Sequence, residues 1–170
     1  AGGVLISGSN GTVTFDSASR IREFGDTDFE VNGGTGTISF AGGIVNSTTT
    51  NPGDAAGRSV HVHDVTGGSV NFSAASNIND DNLGLLVQNN GAANISFLGT
   101  NTFTTTGDAV TVSNNDVGSN ATVTFASLNI TTTGAGDGFI AELGGTLSVT
   151  GSTNQIDTEN GVGLSITGMT

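Results

Sequence analysis

Histidine occurs twice in this chain, as His61 and His63, separated by Val62. On a strand, residues two apart leave the same face. The two imidazoles therefore stand side by side, an arrangement suited to general acid/base work near neutral pH or to holding a metal ion. If the chain repeats as set out below, Glu30 is their neighbour, with Asp28, Asp64 and Arg58 close by. Glu30, Arg58, His61 and His63 thus form the candidate binding face. Catalysis is disfavoured there: the chain has no lysine, no cluster of three carboxylates forms, and Leu86 and Ile140 share the same outward column. Solvated polar residues beside an inserted loop are the expectation.

A second set of donors is acidic. Asp26, Asp81, Asp108 and Asp137, followed by Glu159, fall two to five residues before successive strands of one family. Carboxylates stacked one strand apart repel by about 1 kcal/mol even in bulk water. Two devices offset that repulsion: hydrogen bonds from turn amides, or a bridging Ca²⁺, which takes carboxylate and carbonyl oxygens. Ca²⁺ is accordingly the candidate cofactor. Gly134 to Gly138 shares letters with the glycine-rich calcium nonapeptide, but its nine-residue period is absent.

The elements that position these residues follow from repetition. Six segments read small residue, then alternating polar and apolar residues: Gly11 to Phe15, Gly36 to Phe40, Gly68 to Phe72, Ala93 to Phe97, Ala121 to Phe125 and Gly145 to Val149. A second family of pairs starts at Val4, Phe29, Val60, Leu85, Val110, Phe139 and Leu164, in steps of 25, 31, 25, 25, 29 and 25 residues. A third apolar residue recurs between them, at Ile21, Ile44, Ile78, Phe103, Ile130 and Ile156. Period-two alternation over three to five residues, broken by Gly, Asn, Asp and Ser bends, excludes helix and describes short strands. The predicted fold is an all-β parallel β-helix of about six coils, right-handed, with a modal 25-residue repeat and three short strands per coil. One domain covers 1–170, with an inserted loop at about 46–58, carrying the sole proline Pro52, and a smaller one at about 113–120.

Composition narrows the function. With 15 acids against three arginines and a net charge of −12, the chain is unsuited to nucleic acid or to an anionic membrane surface. No long apolar run is present for insertion into a bilayer, no signal peptide is visible, and the start without methionine suggests a processed or excised piece. Asn-x-Ser/Thr triplets at Asn10, Asn46, Asn71, Asn94, Asn120 and Asn129 are as frequent as this composition produces by chance. The outward residues of the first strand family, such as Thr12, Thr14, Thr122 and Thr124, make a Thr/Ser ladder of the sort used by ice-binding faces, though Thr is also simply a good strand former.

The Gly-Thr-Val-Thr-Phe columns, Gly107 to Val112, and the Asn-Ile-Thr-Thr-Thr-Gly phrase at 129–134 resemble bacterial surface β-helices, the autotransporter passengers and filamentous-haemagglutinin-like adhesins. The resemblance implies a secreted or cell-surface stalk or adhesin, binding an extracellular glycan or a host or neighbouring surface, and transfers no catalytic residue. The wider pectate-lyase-like group has the same architecture, and its polysaccharide-acting members place acids and bases on outward positions with Arg or Lys gripping the uronate. That supplies the alternative of a carbohydrate-binding or carbohydrate-active face at Glu30, His61 and His63. The expectation is a non-enzyme. Coils that end without a cap predict end-to-end or lateral self-association.

Overall fold

The structure, a computed structural model, describes residues 3–22, 27–47, 58–80 and 82–170. Each coil contributes three strands in turn. The first two coils hold β1 (Val4–Ser9), β2 (Thr12–Phe15), β3 (Arg20–Arg22), β4 (Phe29–Gly34), β5 (Thr37–Phe40) and β6 (Gly43–Ser47). The next two hold β7 (Arg58–His63), β8 (Ser69–Phe72), β9 (Ser76–Asn79), β10 (Leu83–Gln88), β11 (Asn94–Phe97) and β12 (Asn101–Thr105). The last two hold β13 (Val110–Ser113), β14 (Thr122–Phe125), β15 (Asn129–Thr132), β16 (Phe139–Glu142), β17 (Thr146–Val149) and β18 (Gln155–Thr158), and β19 (Leu164–Thr167) begins a further turn.

Every third strand joins the same sheet, so the solenoid has one seven-stranded and two six-stranded sheets, all parallel. This is the predicted β-helix of about six turns. Among the described residues there is no helix, and hence none long and apolar enough to cross a membrane. The register of the seven-stranded sheet follows the apolar pairs read from the sequence: Val4 lies opposite Phe29, Phe29 opposite Val60, Leu85 opposite Val110, and Phe139 opposite Leu164.

The interior is a set of stacked columns. Phe40, Phe72, Phe97 and Phe125 are buried one above another, with Phe72 and Phe97 stacked at 4.7 Å and Phe97 and Phe125 at 5.0 Å between centroids. Such near-parallel stacking is what strand spacing imposes on identical side chains in register. Val31, Val62, Val87 and Val112 form a second buried column.

One expected column breaks. Ile44 does not align with Ile78; it lies opposite Ser76, while Ile78 faces Asn46. The reason is the corner length: Ile44 and Ser76 each sit four residues past the phenylalanine of the preceding strand, whereas Ile78 sits six past Phe72. A slip of two keeps each strand's inward face inward. Ile78, Phe103, Ile130 and Ile156 do share one column.

The corner after the seven-stranded sheet is conformationally uniform. Gly8, Gly33, Asp64, Asn89, Asn114, Leu143 and Gly168, equivalent in every coil, all have φ between +52° and +74°. Gly, Asn and Asp tolerate this left-handed bend, and it turns the chain out of the strand at the same place each time. The 46–58 excursion falls largely outside the described residues; Asn46 and Ser47 remain in β6, and Arg58 already belongs to β7. In the smaller one, Ser113 ends β13 and Asn115 is buried, so the extra chain is the exposed run 116–120.

Candidate functional site

Glu30 on β4 and His61 on β7 are cross-strand partners pointing outward, and His63 is the next outward residue of β7. The strand alternation that buries Val60 and Val62 is what presents both imidazoles. Their rings stack at 4.0 Å between centroids, inclined by 20°. His63 Nε2 lies 2.9 Å from Glu30 Oε1, and its Nδ1 lies 2.7 Å from Asp64 Oδ2, so both ring nitrogens face carboxylate oxygens. Asp64 reaches back to the ring of the residue before it because its own backbone takes the left-handed bend.

His61 has different surroundings. Gln88 Nε2 lies 3.1 Å from His61 Nε2. An amide nitrogen can only donate, so this ring nitrogen accepts and the proton of the neutral ring sits on Nδ1. Burial pushes the His61 imidazole down to about 4; the His63 charge pushes the same way, Glu30 opposes it, and Arg58 and Asp64 add smaller effects of opposite sign. Leu86, directly opposite His61 on the adjacent strand and nearly buried, supplies an apolar shoulder to that environment. Among the described residues, Glu30, His61 and His63 are the group able to hold a metal ion: one donor atom from each lies within 4.8 Å of the others.

Three of the four residues of the expected binding face are therefore together. The fourth, Arg58, starts β7 opposite Leu83, on the same side of the strand as Val60 rather than on the side of the two histidines. Burial lowers its pKa and the Asp108 charge opposes that shift. Asp28 is fully buried at the strand entry and so lies behind the face rather than on it.

Of the corner acids, Asp26 and Asp81 lie outside the described residues. Asp108 and Asp137 occupy equivalent positions two residues before β13 and β16. Each accepts a hydrogen bond from the next coil: Asp137 N donates to Asp108 Oδ1 at 2.9 Å, and Val162 N donates to Asp137 Oδ1 at 2.7 Å. The acid column thus acts on backbone amides between coils, rather than within its own turn.

Sequence reasoning overlooked an internal asparagine ladder. Asn90 and Asn115, both fully buried, follow the left-handed residues Asn89 and Asn114. Asn90 Nδ2 donates to Asn115 Oδ1 at 2.8 Å and to Val62 O at 3.2 Å, while Val65 N donates to Asn90 Oδ1 at 2.9 Å. The 25-residue spacing of the two asparagines was the available signal.

No protein-family model, curated protein or solved structure matches this chain.

Proposed function

We propose that the chain is a structural segment of an extracellular or cell-surface protein, a rod-like stalk or adhesive surface rather than an enzyme. The observation that carries this reading is that polar side chains at the corners and on one outward face bond one another between coils. Ser96 Oγ donates to Asn71 Oδ1 at 2.6 Å, Asn114 Nδ2 to Asn89 Oδ1 at 2.7 Å, and Thr35 Oγ1 to Asn10 Oδ1 at 2.9 Å. Such bonds stiffen a stack in which each coil touches only its neighbours, a use for surface polar residues that needs no substrate. The extracellular setting is supported by the resemblance of the repeat phrases to surface β-helices. In this reading the same coil-on-coil geometry also joins one chain to another end to end.

Antibody labelling of intact cells, together with a reducing-sugar assay on polysaccharides, tests the proposal. Surface labelling and a blank assay are expected; a chain confined to the cell interior, or one that releases reducing ends, overturns it. A second reading, glycan binding at Glu30, His61 and His63, is favoured by the paired acid and base on an outward face. A glycan-array signal lost on replacing those three residues with Ala would establish it.

A further inference from the structure

We propose that Glu30, His61 and His63 bind a first-row transition dication, Zn²⁺ above all, which clasps the second coil to the third. Two imidazoles and one carboxylate are the donor set that borderline metals take, and a poor one for Ca²⁺ or Mg²⁺, which want oxygen throughout. The three donor atoms already lie within 4.8 Å of one another, with His63 Nε2 and Glu30 Oε1 at 2.9 Å. Ligands around tetrahedral zinc are roughly 3.3 Å apart, so modest side-chain rotations bring the set into a coordination shell. Backbone rearrangement is not required, because β4 and β7 are held in register by their own ladder.

A separate observation points the same way. Metal-bound histidines characteristically give their other ring N–H to a carboxylate, which fixes the tautomer and aims the ligating nitrogen. His63 has that partner in place: Nδ1 lies 2.7 Å from Asp64 Oδ2, leaving Nε2 directed at Glu30. Asp64 is thus a positioning residue and not a ligand. With three protein donors among the described residues, the site takes the open form, with water completing the tetrahedron. The ion displaces the hydrogen bond from Gln88 to His61 and replaces the His63–Glu30 contact by two metal bonds. Its consequence is mechanical, since it ties together two coils whose connection carries the longest insertion of the chain, the 31-residue step.

The test uses the full untagged chain, stripped with EDTA and dialysed. Titration with ZnCl₂ in a calorimeter is expected to show one equivalent per chain and a raised melting temperature, and CoCl₂ to give the visible ligand-field absorption of a four-coordinate site. Glu30→Gln and His61→Gln, checked for fold by far-UV circular dichroism, should each weaken Zn²⁺ at least tenfold. Asp64→Asn should weaken it about 10–100-fold while leaving the stoichiometry at one. Failure to bind Zn²⁺ or Co²⁺ stoichiometrically overturns the proposal. So does affinity unchanged in both ligand variants, or an equal melting shift from CaCl₂, either of which assigns the ion to the acidic surface at large.

Discussion

Asn90 donates its side-chain amide to Asn115 Oδ1 at 2.8 Å, the two side chains being fully buried at equivalent points of successive coils. A buried amide serving several backbone groups is costly to remove, because each abandoned donor or acceptor keeps its desolvation penalty. Asn90→Ala leaves Val65 N, Val62 O and a lone pair of Asn115 without their partner. A loss of about 2–4 kcal/mol is expected in urea denaturation. A loss below about 1 kcal/mol would mean that water replaces the amide and the ladder contributes little.

The chain's legibility divides along the same line. The columns of Val, Ile and Phe were readable because burial demands an apolar residue at each modal 25-residue step, and the register of Val4 on Phe29 or Leu85 on Val110 follows directly. Asn90 and Asn115 were not readable as core, because asparagine in a Gly/Asn/Asp-rich stretch signals a bend. Here the bend is Asn89 and Asn114, and the residue after each turns inward. Ile44 was misaligned because apolar identity was matched across a corner whose length differs between coils, where the backbone counts residues from the preceding strand. At the outward face, strand alternation was enough to bring Glu30 to His61 and His63, but not to tell that Gln88 serves His61 and Asp64 serves His63.

Leu143 is the one member of the left-handed corner column with neither a small nor a short polar side chain, at φ +57° and largely exposed. Non-glycine residues other than Asn and Asp carry roughly 1–2 kcal/mol of strain in that region. Leu143→Asn, which copies Asn89 and Asn114, should stabilise the fold by about 0.5–1 kcal/mol, read as a higher urea midpoint at unchanged slope. An unchanged or lower midpoint would show that the Leu143 side chain makes compensating contacts.

His61 makes stability depend on pH. Its pKa in the fold is about 4, below the ordinary 6.5 that the unfolded chain retains. As pH falls below 6.5 the unfolded state takes up a proton that the folded ring refuses, so stability is full above that value and declines toward pH 4. For a half-buried ring the loss is on the order of 1–2 kcal/mol after allowance for solvent screening. Comparison of urea midpoints at pH 7 and pH 5 should show this loss, and His61→Gln should remove it. Parallel behaviour of the two proteins would refute the assignment to His61.

For the acid column the geometry favours amide capture over calcium. Asp108→Asn and Asp137→Asn retain the acceptor oxygen used by Asp137 N and Val162 N. The double variant should melt close to the unchanged chain, and EDTA should shift the two equally. A melting temperature that drops in EDTA for the native sequence alone would instead place a bridging Ca²⁺ between these carboxylates.

The last expectation concerns chain-to-chain stacking. Leu164 and Ile166 on β19 continue the buried column of Phe139 and Ala141 yet are 56% and 55% exposed. With Leu147 and Ile156 they border an apolar groove of about 280 Å³. In residues 1–170 taken by themselves, the β19 edge has the geometry on which every earlier coil accepts the next strand. A second copy continuing the seven-stranded sheet sets Val4 and Ile6 over Leu164 and Ile166. Head-to-tail contacts whose rotation does not close give open filaments, which is the expected product. Sedimentation velocity over a concentration series should show growing species, and Ile166→Lys should shift the distribution to monomer. A chain that stays monomeric throughout, or association that Ile166→Lys leaves unchanged, would rule out stacking through this edge.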